Sequence, residues 1–381
     1  MKIALLTTDN RHHLRNYTAT TPTFGTAPEA LIEGFAALPE AEVHVVSCTQ
    51  KPMQSPEKLA PNLWYHALHV PKLGWLRTGY QGCIRAVRKK LKEIRPDIVH
   101  GQGTERDCAM SAVLSGFPNV VTIHGNMAEL ARLFGARIGS YNWLAARLEN
   151  FTLRRTAGVF CNSAYTESLV RPRARKVWRV PNALRQDFFA AVPAGVRPCV
   201  LLNVGVITPR KRQLELLEVA QDLRQRGLKF ELHFIGQINP SEAYTAAFLE
   251  RLGPLEAAGC ARHLGSLSTR ELIRCFDAAA GLVHFPSEES FGLVVAESLT
   301  RDLKLFGSRV GGIADIATGV PGVELFDSND WNGLTEAIAG WIAQRHPRPD
   351  GAAAFMRELY HPEVVARRHL EVYGEVLNTR S

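Results

Sequence analysis

Short apolar runs rich in β-branched residues alternate with longer amphipathic segments from one end of the chain to the other. In the first half, Lys2–Thr7, Val43–Ser47, Asp97–His100, Val120–His124, Gly158–Cys161 and Lys176–Val180 have strand length and composition. Ala27–Leu38, Gly79–Arg95, Asp107–Ser115, Trp143–Arg155 and Ala164–Val170 lie between them and have helix length. The second half repeats the rhythm. Its strands are Val200–Val204, Glu231–Ile235, Arg262–Leu264, Gly281–Phe285, Lys304–Phe306 and Gly322–Leu325; its helices are Gln213–Gln225, Ser241–Leu255, Thr269–Phe276, Val294–Thr300 and Trp331–Arg345. Strands alternating with helices predict α/β architecture: two Rossmann-like, doubly wound parallel sheets covered on both faces. The Pro-, Gly- and Ala-rich stretch Ala190–Pro198 marks the boundary. It predicts domains 1–190 and 191–361, followed by an amphipathic segment 362–381 packing back across the junction. Ligands of such sheets sit beyond the carboxyl ends of the strands, and a cleft between two such domains suits two substrates.

Composition narrows the class. The 381 residues are 46% hydrophobic and 22% charged, as in an ordinary globular chain of about two domains. The most apolar uncharged run, Cys108–Ile123, is broken by Gly116 and Pro118, so no spanning helix is expected. The N-terminus reads as a strand rather than a signal peptide. Seven cysteines without a Cys-x-x-Cys predict buried thiols in a reducing cytoplasm and no zinc site. Charge is uneven. Residues 1–190 carry 25 Lys and Arg against 14 Asp and Glu, and the remainder carries 20 against 23. A basic first half points to an anionic partner: nucleic acid, a membrane face or a phosphorylated molecule. The basic faces of Gly79–Arg95 and Arg171–Arg179 are the candidates for contact with anionic lipid, with plain surface solvation as the alternative.

Three strand-end segments carry candidate chemistry. In His284-Phe285-Pro286-Ser287-Glu288-Glu289-Ser290-Phe291-Gly292-Leu293-Val294-Val295-Ala296-Glu297, a strand ends, a turn follows and a helix begins. Amides at that helix start can hold an anion or sugar oxygens, and Gly292 permits close approach to the backbone. Glu289 and Glu297 can accept hydrogen bonds from sugar or ribose hydroxyls, as acidic residues do in dinucleotide folds. In Asn203-Val204-Gly205-Val206-Ile207-Thr208-Pro209-Arg210-Lys211-Arg212, a glycine and a basic turn offer a diphosphate close approach and positive charge. The polar loop Asp9–Phe24 supplies Arg11, His12, His13 and Arg15 as candidate acceptor contacts, with surface solvation again the alternative. There is no Gly-x-x-x-x-Gly-Lys loop, no Gly-x-Ser-x-Gly and no Asp-x-Asp.

Pro-Ser-x-Glu-Ser-Phe-Gly-Leu-x-x-x-Glu resembles the signature of the retaining GT-B glycosyltransferases, specifically glycosyltransferase family four. Val310-Gly311-Gly312-Ile313-Ala314-Asp315 resembles the family's Gly-Gly-x-x-Glu segment, with Asp for Glu. Val180-Pro181-Asn182-Ala183 resembles its Pro-Asn-Gly, with Ala for Gly. Asn162-Ser163, Asp97-Ile98-Val99-His100 and Val121-Thr122-Ile123-His124-Gly125 resemble its first-domain strand ends.

The resemblance covers nearly the whole chain. It implies GT-B architecture, two domains facing across a cleft, and transfer of a sugar (a hexose) from a nucleotide diphosphate sugar with retention and without metal or cofactor. Catalytic parts fall to His124, Glu289 and Lys211. Gly25, Gly205, Arg210, Lys211, Arg212, Leu267, Ser290, Phe291, Gly292, Leu293 and Glu297 fall to the nucleotide and diphosphate. The family has Arg directly after the glycine where this chain has Val206, so Arg210 or Arg212 is expected to supply the second cation. A UDP- or GDP-sugar donor, a glycan or lipid-linked acceptor, polysaccharide biosynthesis, and a cytoplasmic protein peripheral on the inner membrane face are the expectations, with no nucleic acid. Two other readings are a non-catalytic nucleotide-binding module with a basic docking domain, and a phosphorylase of similar fold that would need Lys-bound pyridoxal phosphate.

Overall fold

The computed structural model describes residues 1–379 except 192, 194 and 196, and of His13 the backbone alone. The chain forms two compact units, Met1–Gln186 with Leu359–Ser381, and Asp187–Glu358.

The first unit is built on the strands β1 (Lys2–Leu6), β2 (Glu42–Thr49), β3 (Lys58–Ala60), β4 (Leu63–His69), β5 (Ile98–Gln102), β6 (Asn119–Ile123), β7 (Val159–Cys161) and β8 (Val177–Arg179). Among the described residues they form one sheet in the order β3-β4-β2-β1-β5-β6-β7-β8, parallel except for β3, which pairs antiparallel at the edge. β1 is central and carries no exposed side chain between Ile3 and Leu6 because helices cover both faces. It pairs Leu6 with Val46 on one side and with Gly101 on the other.

Helix Pro362–Asn378 belongs to this unit. Its face of Val365, Ala366, Val372, Tyr373 and Val376 joins Phe35, Phe160 and Trp178 in one core. Two histidines lie inside it. His369 stacks on Phe160 with centroids 4.8 Å apart, and His100 bonds Tyr373 Oη (2.5 Å) and Thr122 Oγ1 (2.7 Å). Burial pushes the His369 imidazole down to about 4 and holds His100 well below its ordinary value. An unfolded imidazole titrates near 6.5, so between about 4 and 6.5 the unfolded chain binds more protons than the folded one. Stability is therefore complete above about pH 6.5 and should fall as pH drops towards 4. The loss is on the order of 2–3 kcal/mol for His369 alone. Urea unfolding at neutral pH and at about pH 5 measures it. His369→Phe should narrow the gap between the two midpoints, and an unchanged gap would count against this account.

The second unit has β9 (Val200–Val204), β10 (Glu231–Ile235), β11 (Ala261–His263), β12 (Gly281–His284), β13 (Lys304–Ser308) and β14 (Val323–Phe326). All are parallel, in the order β11-β10-β9-β12-β13-β14. The strand order reverses at β9, with β10 on one side and β12 on the other. β9 and β12 pair only through Leu201 with Gly281 and Leu202 with Leu282. Beyond that they part, and the buried Asn203 side chain bridges the gap to Val283 O (2.8 Å). A crevice at the carboxyl ends of strands flanking such a reversal is where open α/β sheets bind ligands.

Candidate active site

The loops leaving β9 and β12 meet at this switch point. After β9 the chain runs through Gly205 into a 3₁₀ turn, Pro209–Lys211. Arg212 (φ 56°) then starts helix Gln213–Gln225. After β12 the chain turns at Pro286–Gly292 into helix Leu293–Leu299. Gly292, at φ 100°, is the residue before the helix, and no side chain caps it. Only glycine holds that backbone without strain. The Glu289 segment rests on the next helix, Gly311–Ala317: Glu289 O accepts from Gly312 N (3.0 Å), and a Cβ on Gly311 would lie 1.8 Å from Glu289 O. That contact is the physical need for the paired glycines.

Lys211 Nζ forms an ion pair with Glu289 Oε2, and His284 Nε2 lies 3.3 Å from the same oxygen and 3.5 Å from Nζ. The three side chains are 13%, 14% and 1% exposed. Burial and the neighbouring Lys211 push His284 down to about 4. With its proton on Nε2 the neutral ring would donate to the carboxylate. Burial alone would raise the Glu289 carboxyl, but Lys211 and His284 together hold it well below the usual range. The result is a mostly buried cation–carboxylate pair beside a neutral imidazole, at the carboxyl ends of β9 and β12.

The two candidate second cations are placed differently. Arg210 Nη1 binds Glu288 O (2.9 Å) and Glu288 Oε2 (3.3 Å), and Arg210 O accepts from Ser287 N (2.9 Å), so Arg210 ties the two loops together beside Lys211. Arg212 turns away to Ser328 O and Asn329 Oδ1. Val206 is half exposed. Glu297 is only 4% exposed, on a helix segment whose residues Val295 to Leu299 are all buried, rather than on a solvated face. Ser290, Phe291 and Leu293 lie in the same turn and helix start, and Leu267 is half-buried in the loop after β11.

In the first unit His124 directly follows β6. Its Nε2 lies 2.9 Å from Gln102 Oε1 at the end of β5, and burial pushes it down to about 4 against the opposing pull of Asn182. Gly125 N donates to Glu105 Oε1 (2.9 Å). Gly25 precedes helix Thr26–Ala36.

The loop after β1 departs from expectation at Arg11. The side chain is 1% exposed, and its guanidinium binds Asp9, Ala19 O, Thr20 O, Gln54 O and Ser55 Oγ. Arg11 is a clip holding the loop together, with its donors already used, and not an outward contact for an acceptor. His12 sits beside Trp75 with centroids 5.5 Å apart, and Arg15 is exposed at φ 56°. The side chain of His13 lies outside the described residues.

Sequence reasoning passed over His284, Gln102 and Glu149. The signal for His284 was present, since it ends an apolar strand as His124 does. Glu149 is fully buried and accepts from Met127 N (2.8 Å), Ala128 N (3.2 Å), Thr104 Oγ1 (2.9 Å) and Arg173 Nη1 (2.8 Å). No local pattern announces it. The cysteines also gather more than their spacing suggests. Cys48 and Cys83, both buried, bring their sulfurs to within 4.8 Å of each other and of Asp107. The hydrogen bond with Cys83, together with burial, pushes the Cys48 thiol well above its ordinary value, as expected of inert core thiols.

Two parallel-sheet α/β units, with a cation–carboxylate pair at the strand reversal of the second, define the GT-B glycosyltransferase class. Residues 29–187 match Glycosyltransferase Family 4, and residues 185–353 match Glycosyl transferases group 1. Together the two matches span residues 29–353 and support a GT4-type glycosyltransferase.

Solved structures share the fold at low identity. Sucrose-phosphate synthase from Thermosynechococcus elongatus is 17% identical over 100% of both chains, with a TM-score of 0.76. HepE of Anabaena, in complex with UDP and glucose, is 14% identical over 98% of this chain and 99% of that one, with a TM-score of 0.71. The lipopolysaccharide outer core galactosyltransferase WaaB is 15% identical over 98% and 100%, with a TM-score of 0.68. No curated protein matches the sequence.

Proposed function

We propose that this glycosyltransferase moves a hexose from a UDP- or GDP-sugar to a glycan or lipid-linked acceptor, with retention and without a metal ion, in polysaccharide biosynthesis at the cytoplasmic face of a membrane. The observation that carries the reading is the Lys211–Glu289–His284 cluster at the β9/β12 reversal. A sugar nucleotide reacts when its diphosphate leaves, so the main task is to stabilise negative charge on the leaving oxygen. Lys211 supplies a nearly desolvated point charge, and Arg210 stands beside it. Glu289 takes sugar hydroxyls and keeps Lys211 in place, and Glu297 takes the ribose hydroxyls. His124 orients the sugar with a neutral ring. No side chain is assigned as nucleophile. The complexes of HepE with UDP and with UDP-glucose support a uridine nucleotide as the first donor to try.

Two measurements test this. Glu297→Ala should weaken binding of the preferred nucleoside diphosphate by roughly 1.5–3 kcal/mol per ribose hydrogen bond lost. An unchanged Kd in a folded variant removes the ribose role. Transfer should also persist in excess chelator. The sequence has no Asp-x-Asp to hold a divalent ion, and the diphosphate would meet Lys211 and Arg210 instead. Complete loss in EDTA, restored by magnesium or manganese, overturns the metal-independent reading.

A further inference from the structure

The segment that follows His124 leaves the first unit as a short, stiff projection. Helix Met127–Leu133 is rooted by Glu149 at its start. The chain then turns through 134–140 into helix Tyr141–Leu153, whose first residue returns a hydrogen bond from Tyr141 Oη to Glu105 O (2.7 Å). The turn is internally bonded: Phe134 N to Leu130 O (3.0 Å), Ala136 N to Ala131 O (2.8 Å) and Ser140 N to Arg137 O (3.0 Å). Gly135 (φ 56°) and Gly139 (φ 82°) shape the tip, and a Cβ on either would meet nothing within 4 Å, so the tip stands in open space.

Its side chains are the wrong ones for water. Leu133 is 46% exposed, Phe134 63%, Ile138 85% and Tyr141 49%. Four large apolar side chains exposed within nine residues form a patch rather than scattered singles. The rim carries exposed Arg137 and Arg147; Arg132 is exposed as well but is paired with Glu129.

We propose that residues 133–141 are a wedge that seats the first unit on an anionic lipid bilayer, with Phe134 and Ile138 entering the interface and Arg137 meeting lipid phosphates. Apolar side chains at a tip with a basic surround are the combination that partitions into the headgroup region of anionic membranes. The basic segments expected from the sequence to touch lipid are less suited. Helix Gln81–Ile94 buries its whole apolar face of Cys83, Ile84, Val87, Leu91 and Ile94 in the core, so it offers charge alone. Arg171 and Arg179 share Glu167, and Arg173 is spent on Glu149 and Asn150. The wedge deepens the lipid-linked acceptor reading and rests on it for its purpose, but its test needs no turnover.

The test is flotation of the full chain with vesicles of phosphatidylcholine and phosphatidylglycerol at low and high salt. The wild type should float at low salt. Phe134→Ser with Ile138→Ser should lower partitioning by about tenfold or more at either salt. Arg137→Glu should lower it at low salt and matter less at high salt. Both sites are exposed, so the thermal midpoints should match the wild type, and nucleoside diphosphate binding measured in parallel reports separately on the donor-site reading. A wild type that stays in solution, or a double variant that floats as well as the wild type, overturns the wedge. So does a dimer of the wild type that the double variant abolishes, since the patch would then be covered by a second copy.

Discussion

Lys211→Ala should lower kcat/KM for the donor by about 10²–10³-fold, the range seen when one preorganised charge-stabilising donor is removed. The size follows from burial. Lys211 and Glu289 are each less than one-sixth exposed, so little solvent screens the charge meeting the diphosphate. The loss should appear in kcat as well as KM, because charge develops on the diphosphate as the bond breaks. Lys211→Arg should not rescue. Its planar fork cannot occupy the point position between Glu289 Oε2 and His284 Nε2. Steady-state kinetics with the donor found by nucleotide screening decides. A Lys211→Ala enzyme within a few-fold of wild type would remove Lys211 from the chemistry.

Arg301→Ala should be the most destabilising single change in the second unit. Arg301 is 1% exposed. It pairs with Asp277 (2.6 Å) and donates to Phe188 O (3.2 Å), Ala190 O (2.6 Å) and Ala191 O (3.2 Å). Truncation takes the Arg301 donor away from the Asp277 carboxylate and from three carbonyls, of which those of the exposed Ala190 and Ala191 can turn to water. Asp277 is 18% exposed, so the loss should approach but not exceed the about 3–5 kcal/mol of a fully buried pair broken on one side, and the corresponding fall in Tm is on the order of 10 °C for a unit of this size. Asp277→Asn should cost less, because the carbonyls keep their partner. Calorimetry of the two variants gives the order, and equal losses would show that the carbonyl contacts contribute nothing.

What the sequence made visible, and what it hid, divides along the range of the interactions. The central strands were readable because burial on both faces leaves nearly continuous apolar runs, as in Lys2–Leu6 and Gly281–His284. β3 and β4 were not. β3 is the edge strand and β4 its neighbour, and in β4 His66 and His69 interrupt the apolar pattern. Helix Met127–Leu133 was missed because its start is held by Glu149, more than twenty positions on. Arg11 shows the same limit. Its Asp9 partner is two residues away, yet its burial depends on Gln54 and Ser55 from beyond β2. The motif containing Glu289 and Glu297 was legible as a string. That Lys211 meets Glu289, 78 positions away, is a property of the β9/β12 reversal and not of either segment.

The first unit is discontinuous in sequence, and this sets the order in which the molecule is finished during synthesis. The second unit is a single stretch, Asp187–Glu358, and is complete in sequence before the first unit receives its last helix. Until Pro362–Asn378 emerges, the surface around Phe35, Phe160, Trp178 and His100 has no cover from Val372 and Tyr373. A nascent chain therefore carries an open apolar face on its oldest part longest. A premature stop just after Glu358 would spare the second unit's sequence yet leave the first unsealed. In a cell, that truncated product is a substrate for chaperones and proteases rather than a slightly shortened enzyme.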